Sequence, residues 1–142
     1  KKHNPWNEIE CGDHYARAMA SYGILQAVQG YWYDGPKGIM GFDPKLRKDD
    51  FTGFFNAAEG WGNISQTRKN NKQVNCVEVK FGRLYLDKLQ VNLPAGTGIN
   101  NLKASLNNQD IAVSAANTNG YTEISLNGLQ MRLGDKLQIT FE

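Results

Sequence analysis

Near the start of the chain stand Glu8, Glu10, Asp13, His14 and Arg17, a denser group of reactive side chains than any later stretch carries. Glu8 and Glu10 are two positions apart, so on an extended segment they share a face with roughly 7 Å between them. That separation falls inside the range of a glycosidase carboxylate pair. A working pair, however, ordinarily comes from separate elements that hold a sugar between them, so adjacency in sequence does not make these two catalytic. Arg17 falls on the first turn of an apolar helical stretch, where a buried guanidinium needs a carboxylate or a ligand. Glu8, Glu10 and Asp13 are all within reach, so an ion pair fixing loop to helix competes with ligand binding. His14 can bind a hydroxyl, or pack and cap the first turn.

The patterns that announce other chemistries are missing. There is no HxxxH, HExxH or CxxC, so no metal site is expected, and no GxSxG, P-loop or glycine-rich strand-to-helix turn, so no cofactor is implied. Cys11 and Cys76 are not at metal-ligand spacing; they could pair, and otherwise read as two buried thiols. Asn63-Ile64-Ser65 fits the glycosylation triplet, which also arises by chance. A net charge of +2 with dispersed basic residues does not suit nucleic acid, and no run approaches the ~18 apolar residues of a membrane span. Trp6, Trp32 and Trp61 offer rings that could stack on sugars, although a core and an interface absorb tryptophans as readily. Trp61, within Ala57-Ala58-Glu59-Gly60-Trp61-Gly62, is the best candidate for carbohydrate stacking.

These residues must be positioned by two kinds of element. Asn4-Pro5 keeps the approach extended, Gly12-Asp13 breaks it, and Asp13 is an N-cap candidate for a helix from His14 to about Gln29. That helix is apolar nearly all the way round, with Tyr15, Ala18, Met19, Tyr22 and Leu25 on one face and Ala16, Ala20, Ile24, Ala27 and Val28 over much of the rest. Such a helix belongs inside a larger protein, packed on several sides. The opening Lys1-Lys2-His3, without an apolar signal region, likewise reads as part of a longer chain.

At Gly30 the pattern changes. Tyr31-Trp32-Tyr33, a turn at Asp34–Gly38, and Ile39–Phe42 read as a hairpin or aromatic corner, followed by a charged loop from Pro44 to Asp50. Phe51–Ala57 and Trp61–Gln66 form a candidate pair, and Arg68–Lys72 is a solvated basic turn. Val74–Phe81 alternates, placing Asn75, Val77, Val79 and Phe81 on one side, and Gly82 starts a second run through Leu93. Asn100–Leu106, Ile111–Ala115, Tyr121–Leu126 and Lys136–Phe141 are further strands. Asn107-Asn108, Asn119-Gly120, Asn127-Gly128 and Gly134-Asp135 are the turn signals between them. Seven to nine short strands without intervening helices predict a mainly β domain, an antiparallel sandwich or jelly-roll-like fold over 31–142, preceded by a helical segment over 1–30.

The stretch Asn4-Pro5-Trp6-Asn7-Glu8-Ile9-Glu10-Cys11-Gly12-Asp13-His14-Tyr15-Ala16-Arg17-Ala18-Met19-Ala20-Ser21-Tyr22 closely resembles the last conserved block of glycoside hydrolase family 116. That family contains the bile-acid β-glucosidases (non-lysosomal glucosylceramidases) and related bacterial β-glucosidases. Tyr33-Asp34-Gly35-Pro36 and Gly41-Phe42-Asp43-Pro44 are similar in style to the segment after that block in bacterial members. The resemblance is specific over about the first 45 residues. It implies that the helix is left over from an (α/α)6 barrel acting on β-glucosides with retention. It also implies that Glu8 and Arg17, nine residues apart, contact sugar hydroxyls. The family's nucleophile and acid/base have no counterpart here. The expected function is therefore the C-terminal part of a glycoside hydrolase, supplying sugar-positioning residues and an accessory β domain but not catalytic alone. The alternatives are a carbohydrate-binding module, using Trp61, Trp32 or Tyr31, and a purely structural β domain. The apolar helix 14–29 is also expected to drive self-association when uncovered.

Overall fold

The structure is a computed structural model that describes residues 15–99 and 101–142. One helix, α1 (Tyr15–Gln29), is followed by ten strands: β1 (Tyr31–Asp34), β2 (Ile39–Phe42), β3 (Asp50–Asn56), β4 (Gly60–Lys69), β5 (Lys72–Val91), β6 (Lys103–Leu106), β7 (Gln109–Asp110), β8 (Ser114–Thr118), β9 (Tyr121–Arg132) and β10 (Lys136–Phe141). The mainly β fold expected from the turn spacing is present, and it is sandwich-like. One layer runs β3-β4-β5-β10-β6-β7, the other β1-β2-β5-β9-β8, with β5 shared between them.

A single buried cluster fills the space between the layers. Phe55, Ile64, Val77, Val79, Leu137, Ile139 and Phe141 enter from the first layer, and Met40, Phe42, Leu86, Leu89, Val91, Ile124 and Met131 from the second. Phe42 and Phe51 meet across the layers with centroids 6.1 Å apart and rings tilted by 52°. The partly buried strands carry the period-two alternation that one wet face and one dry face require.

Two departures from the expected topology have local causes. The pairing is antiparallel except that β2 lies parallel to β5, with Ile39–Phe42 beside Lys88–Val91. The runs on either side of Gly82 are one strand rather than two, and β5 crosses between layers by means of two irregularities. The first, opposite Trp61/Gly62, leaves Lys80 without a ladder partner and turns Phe81 outward, so Phe81 is 61% exposed instead of sharing the buried face of Val77 and Val79. The second lies between Leu86 and Lys88, where Asp87 faces Leu126, Asn127 and Gly128. Asn127-Gly128 is thus a bulge inside β9 and not a turn. Asn70-Asn71, Asn107-Asn108 and Asn119-Gly120, all at positive φ, are true two-residue hairpin turns.

The helix ends on Gly30, whose φ of 57° allows its N–H to reach the Gln26 carbonyl at 2.9 Å. The backbone N–H groups of Lys45 and Asp43 then donate to the carbonyls of Val28 and Gly30. Among the described residues it is the last turn that the β layers hold: Gln29 is buried, whereas Met19, Tyr22, Ile24 and Leu25 are exposed by 52%, 64%, 67% and 40%. The packing on several sides that the composition calls for is not supplied by the β layers.

Candidate functional site

The two sugar-contact candidates, Glu8 and Arg17, have side chains outside what the structure describes. Glu8 lies outside the described residues, as do Glu10, Cys11, Asp13 and His14. Arg17 contributes its backbone to α1, and its side chain is likewise outside what the structure describes. The partner of Cys76 that the sequence leaves open, Cys11, is not placed. Cys76 itself is half-buried, and burial pushes its thiol above the ordinary range.

The third candidate, Trp61, lies among the described residues. Trp61, on β4, is half exposed and lies nearly parallel to Phe81 of β5, at 6.1 Å between centroids and 17° between planes. The pair exists because the β5 irregularity turns Phe81 outward, directly opposite Trp61 in the ladder. One step further along, Gly60 faces Gly82. A Cβ at Gly60 would press on the carbonyls of Arg83 and Phe81, and one at Gly82 would overlap the Glu59 carbonyl. Two glycines therefore allow β4 and β5 to cross closely, and Arg83 N–H reaches the Glu59 carbonyl at 3.0 Å.

That crossing brings Glu59 and Arg83 together, 24 positions apart in sequence. Arg83 Nε donates to Glu59 Oε2 at 2.9 Å and its Nη2 donates to Oε1, a bidentate pair. Hydrogen bonding from Arg83 holds the Glu59 carboxyl below the usual carboxylate range, and Glu59 in turn raises the guanidinium. Both groups stay charged at neutral pH. Tyr85, two positions further along β5, is 42% exposed. Tyr33 from β1 donates its hydroxyl to the Tyr85 carbonyl at 3.0 Å. Burial, then Glu59, push the Tyr33 phenol up. Two hollows of about 350 Å³ each share Glu59, Arg83 and Tyr85 as walls: one runs toward Gln130 and Arg132, the other toward Tyr33 and Ala57.

Of the other aromatic candidates, Trp6 lies outside the described residues, and Tyr31 and Trp32 make contacts within the β layers. Tyr31 donates to the Asn56 carbonyl at 2.7 Å, tying β1 to β3, and burial pushes its phenol up to about 12. Trp32 lies across β2, where its indole fills the place a Cβ at Gly41 would take. Sequence reasoning missed Glu59, Arg83, Tyr33 and Tyr85, because no local motif links them. The signal available was the set of glycines at 60, 62 and 82 around the aromatic positions, which marks a close strand crossing. Among the described residues no helix is long and apolar enough to cross a membrane, and no three metal-ligating side chains converge.

No family model matches the chain, and no curated protein does. Among solved structures, it resembles part of a GH127 β-L-arabinofuranosidase from Geobacillus stearothermophilus T6. The TM-score is 0.50 at 14% identity, over 93% of this chain and 19% of that one. A protein described as a glycoside hydrolase aligns at TM-score 0.47 and 15% identity, over 99% of this chain and 23% of that one. An α-L-rhamnosidase from Dictyoglumus thermophilum aligns at 0.43 and 10%, over 81% and 12%. What the first likeness establishes is the fold: this is a mainly β domain of a kind found within a glycoside hydrolase. The chain spans about a fifth of that enzyme's length.

Proposed function

We propose that this chain is the C-terminal part of a glycoside hydrolase, with 1–30 closing a helical catalytic domain and 31–142 forming an accessory β domain. The observation that carries this reading is the uncovered helix. A helix that leaves Met19, Tyr22, Ile24 and Leu25 in water, yet is anchored by its buried last residue Gln29, is built to be covered by something outside these layers. The family 116 resemblance over residues 4–22 supports the same reading and supplies its finer part, a β-glucoside or glucosylceramide-like substrate met by Glu8 and Arg17. In this reading the nucleophile and acid/base belong to the rest of the helical domain, so the chain alone turns nothing over. The bare helix drives it to self-associate.

The test is kinetic and uses the full-length parent. Glu8→Gln and Arg17→Ala should each lower kcat/KM on an aryl β-glucoside roughly 10- to 1000-fold, the cost of a lost hydroxyl contact in a site built for it. Unchanged kinetics would make the pair structural, and turnover by the 142-residue chain alone would overturn the assignment of both carboxylates to the missing part. Preference for a β-L-arabinofuranoside would replace the family 116 reading with one nearer the GH127 neighbour.

A further inference from the structure

We infer that the outer face of the β4–β5 crossing is a binding site for a neutral oligosaccharide, formed by the Trp61–Phe81 aromatic pair, the Glu59–Arg83 pair and Tyr85. This site stands whether or not the helix belongs to a catalytic domain, since every group in it lies on the β layers.

Three features define the ligand. Phe81, Arg83 and Tyr85 are all exposed within five residues of β5, a stretch of at most about 13 Å at ~3.3 Å per residue, which is room for more than one ring. Along the strand an apolar pair is followed by a hydrogen-bonding pair and then by a further ring. A sugar chain presents the matching sequence, with C–H faces that lie on aromatic rings and hydroxyls at the edges that both donate and accept. The charge also fits: Glu59 and Arg83 are already paired with each other, so they offer acceptor and donor together without demanding a charged ligand. An anionic or cationic ligand would have to break that pair.

A peptide is disfavoured by the backbone. Strand addition needs an open sheet edge, whereas β4 is paired to β3 and β5 here, and β5 passes from β4 to β9 across Gly82 and Arg83. The two hollows that share the Glu59–Arg83 wall, about 350 Å³ each, are of a size that holds small ligands.

Titrating the 142-residue chain with neutral hexasaccharides of β-1,4-glucan, β-1,4-xylan and α-1,5-arabinan, by calorimetry and tryptophan fluorescence, tests the site. Saturable binding of at least one is expected. It should weaken about tenfold or more in Trp61→Ala and in Arg83→Met, through loss of a stacking face or of the paired donors. Thr67→Ala, on an exposed position further along β4, should leave it unchanged. Trp61 and Arg83 are solvent-facing, so both variants should keep the parent thermal midpoint; if one does not, the other carries the test. No saturable binding up to about 10 mM, which corresponds to only ~2.7 kcal/mol of affinity, would overturn the proposal. Binding that survives both substitutions would overturn it as well.

Discussion

Gln29, the last residue of the helix, accepts the backbone N–H of Phe54 across 2.9 Å and so fastens the helix to the third strand. The contact exists because residue 53 is glycine: a Cβ there would overlap the Gln29 amide oxygen. Gln29→Ala should therefore lower stability by about 1–2 kcal/mol, the cost of a partly buried N–H left without its acceptor. Gly53→Ala should cost a similar amount, because its Cβ pushes the Gln29 amide away and breaks the same bond. Urea midpoints with unchanged m-values are the measure; an unshifted midpoint in both variants would mean that the helix end is held by its backbone bonds alone.

Two glycines separate conformational from steric cost. Gly82 and Gly120 both have positive φ, 70° and 85°, but only Gly82 has a backbone carbonyl where a Cβ would go. Gly120→Ala should cost about 1 kcal/mol, the ordinary penalty of the left-handed region. Gly82→Ala should cost clearly more, because its Cβ would also have to push the Glu59 carbonyl away. Equal costs would argue against the close crossing of β4 and β5.

A buried amide network sits at the other end of the first layer. Gln73 Nε2 donates to Asn75 Oδ1 at 2.8 Å, Asn75 Nδ2 donates to Gln66 Oε1 at 3.2 Å, and Arg68 Nε donates to Gln73 Oε1 at 2.7 Å. Gln66 and Gln73 are fully buried. Gln73→Leu has a suitable volume but strands the Arg68 donor and the Asn75 acceptor together. A loss of about 2–4 kcal/mol is expected, because each unmade bond to a buried polar group costs more than the bond itself contributes. A near-neutral Gln73→Leu would show that water reaches these groups.

Acid sensitivity should centre on Asp135. The Arg132 backbone N–H, then the Asn107 amide, hold its carboxyl below the usual range, each bond being 2.7 Å long. A depressed folded pKa means that the unfolded chain takes up this proton first. The stabilisation is therefore complete above the ordinary aspartate value near 3.9 and is lost as pH falls through the folded one. Thermal midpoints followed from pH 7 to pH 3 should show Asp135→Asn less stable than the parent at neutrality and the two curves converging below about pH 4. Parallel curves would assign the acid loss to other carboxylates, such as Glu123 beside Lys88 and Gln90.

Local signals in the sequence predicted local structure well. Lys136–Phe141 is a strand with the bounds its alternation implies, and the Asn-Asn and Asn-Gly pairs at 70, 107 and 119 form the turns their chemistry favours. Asn127-Gly128 carries the same signal and makes a bulge instead, because the strand it interrupts has a partner, β5, long enough to continue past it. Phe81 fits the alternation of its neighbours in sequence, yet it faces outward because one unpaired residue, Lys80, reverses the phase. The Glu59–Arg83 pair was illegible for a related reason: it depends on a crossing of two strands, and no spacing within either strand encodes it. Trp61 was legible as an aromatic beside glycines, but its partner Phe81 was not.

The sharing of β5 between both layers has a consequence for how the chain acquires its shape. Its first half needs β4 and β10, its second half β2 and β9, and two of those four strands are made only after β5 itself. Neither layer can close early and wait for the other. Folding of these layers is therefore a late event dominated by contacts distant in sequence, slow for a chain of this size.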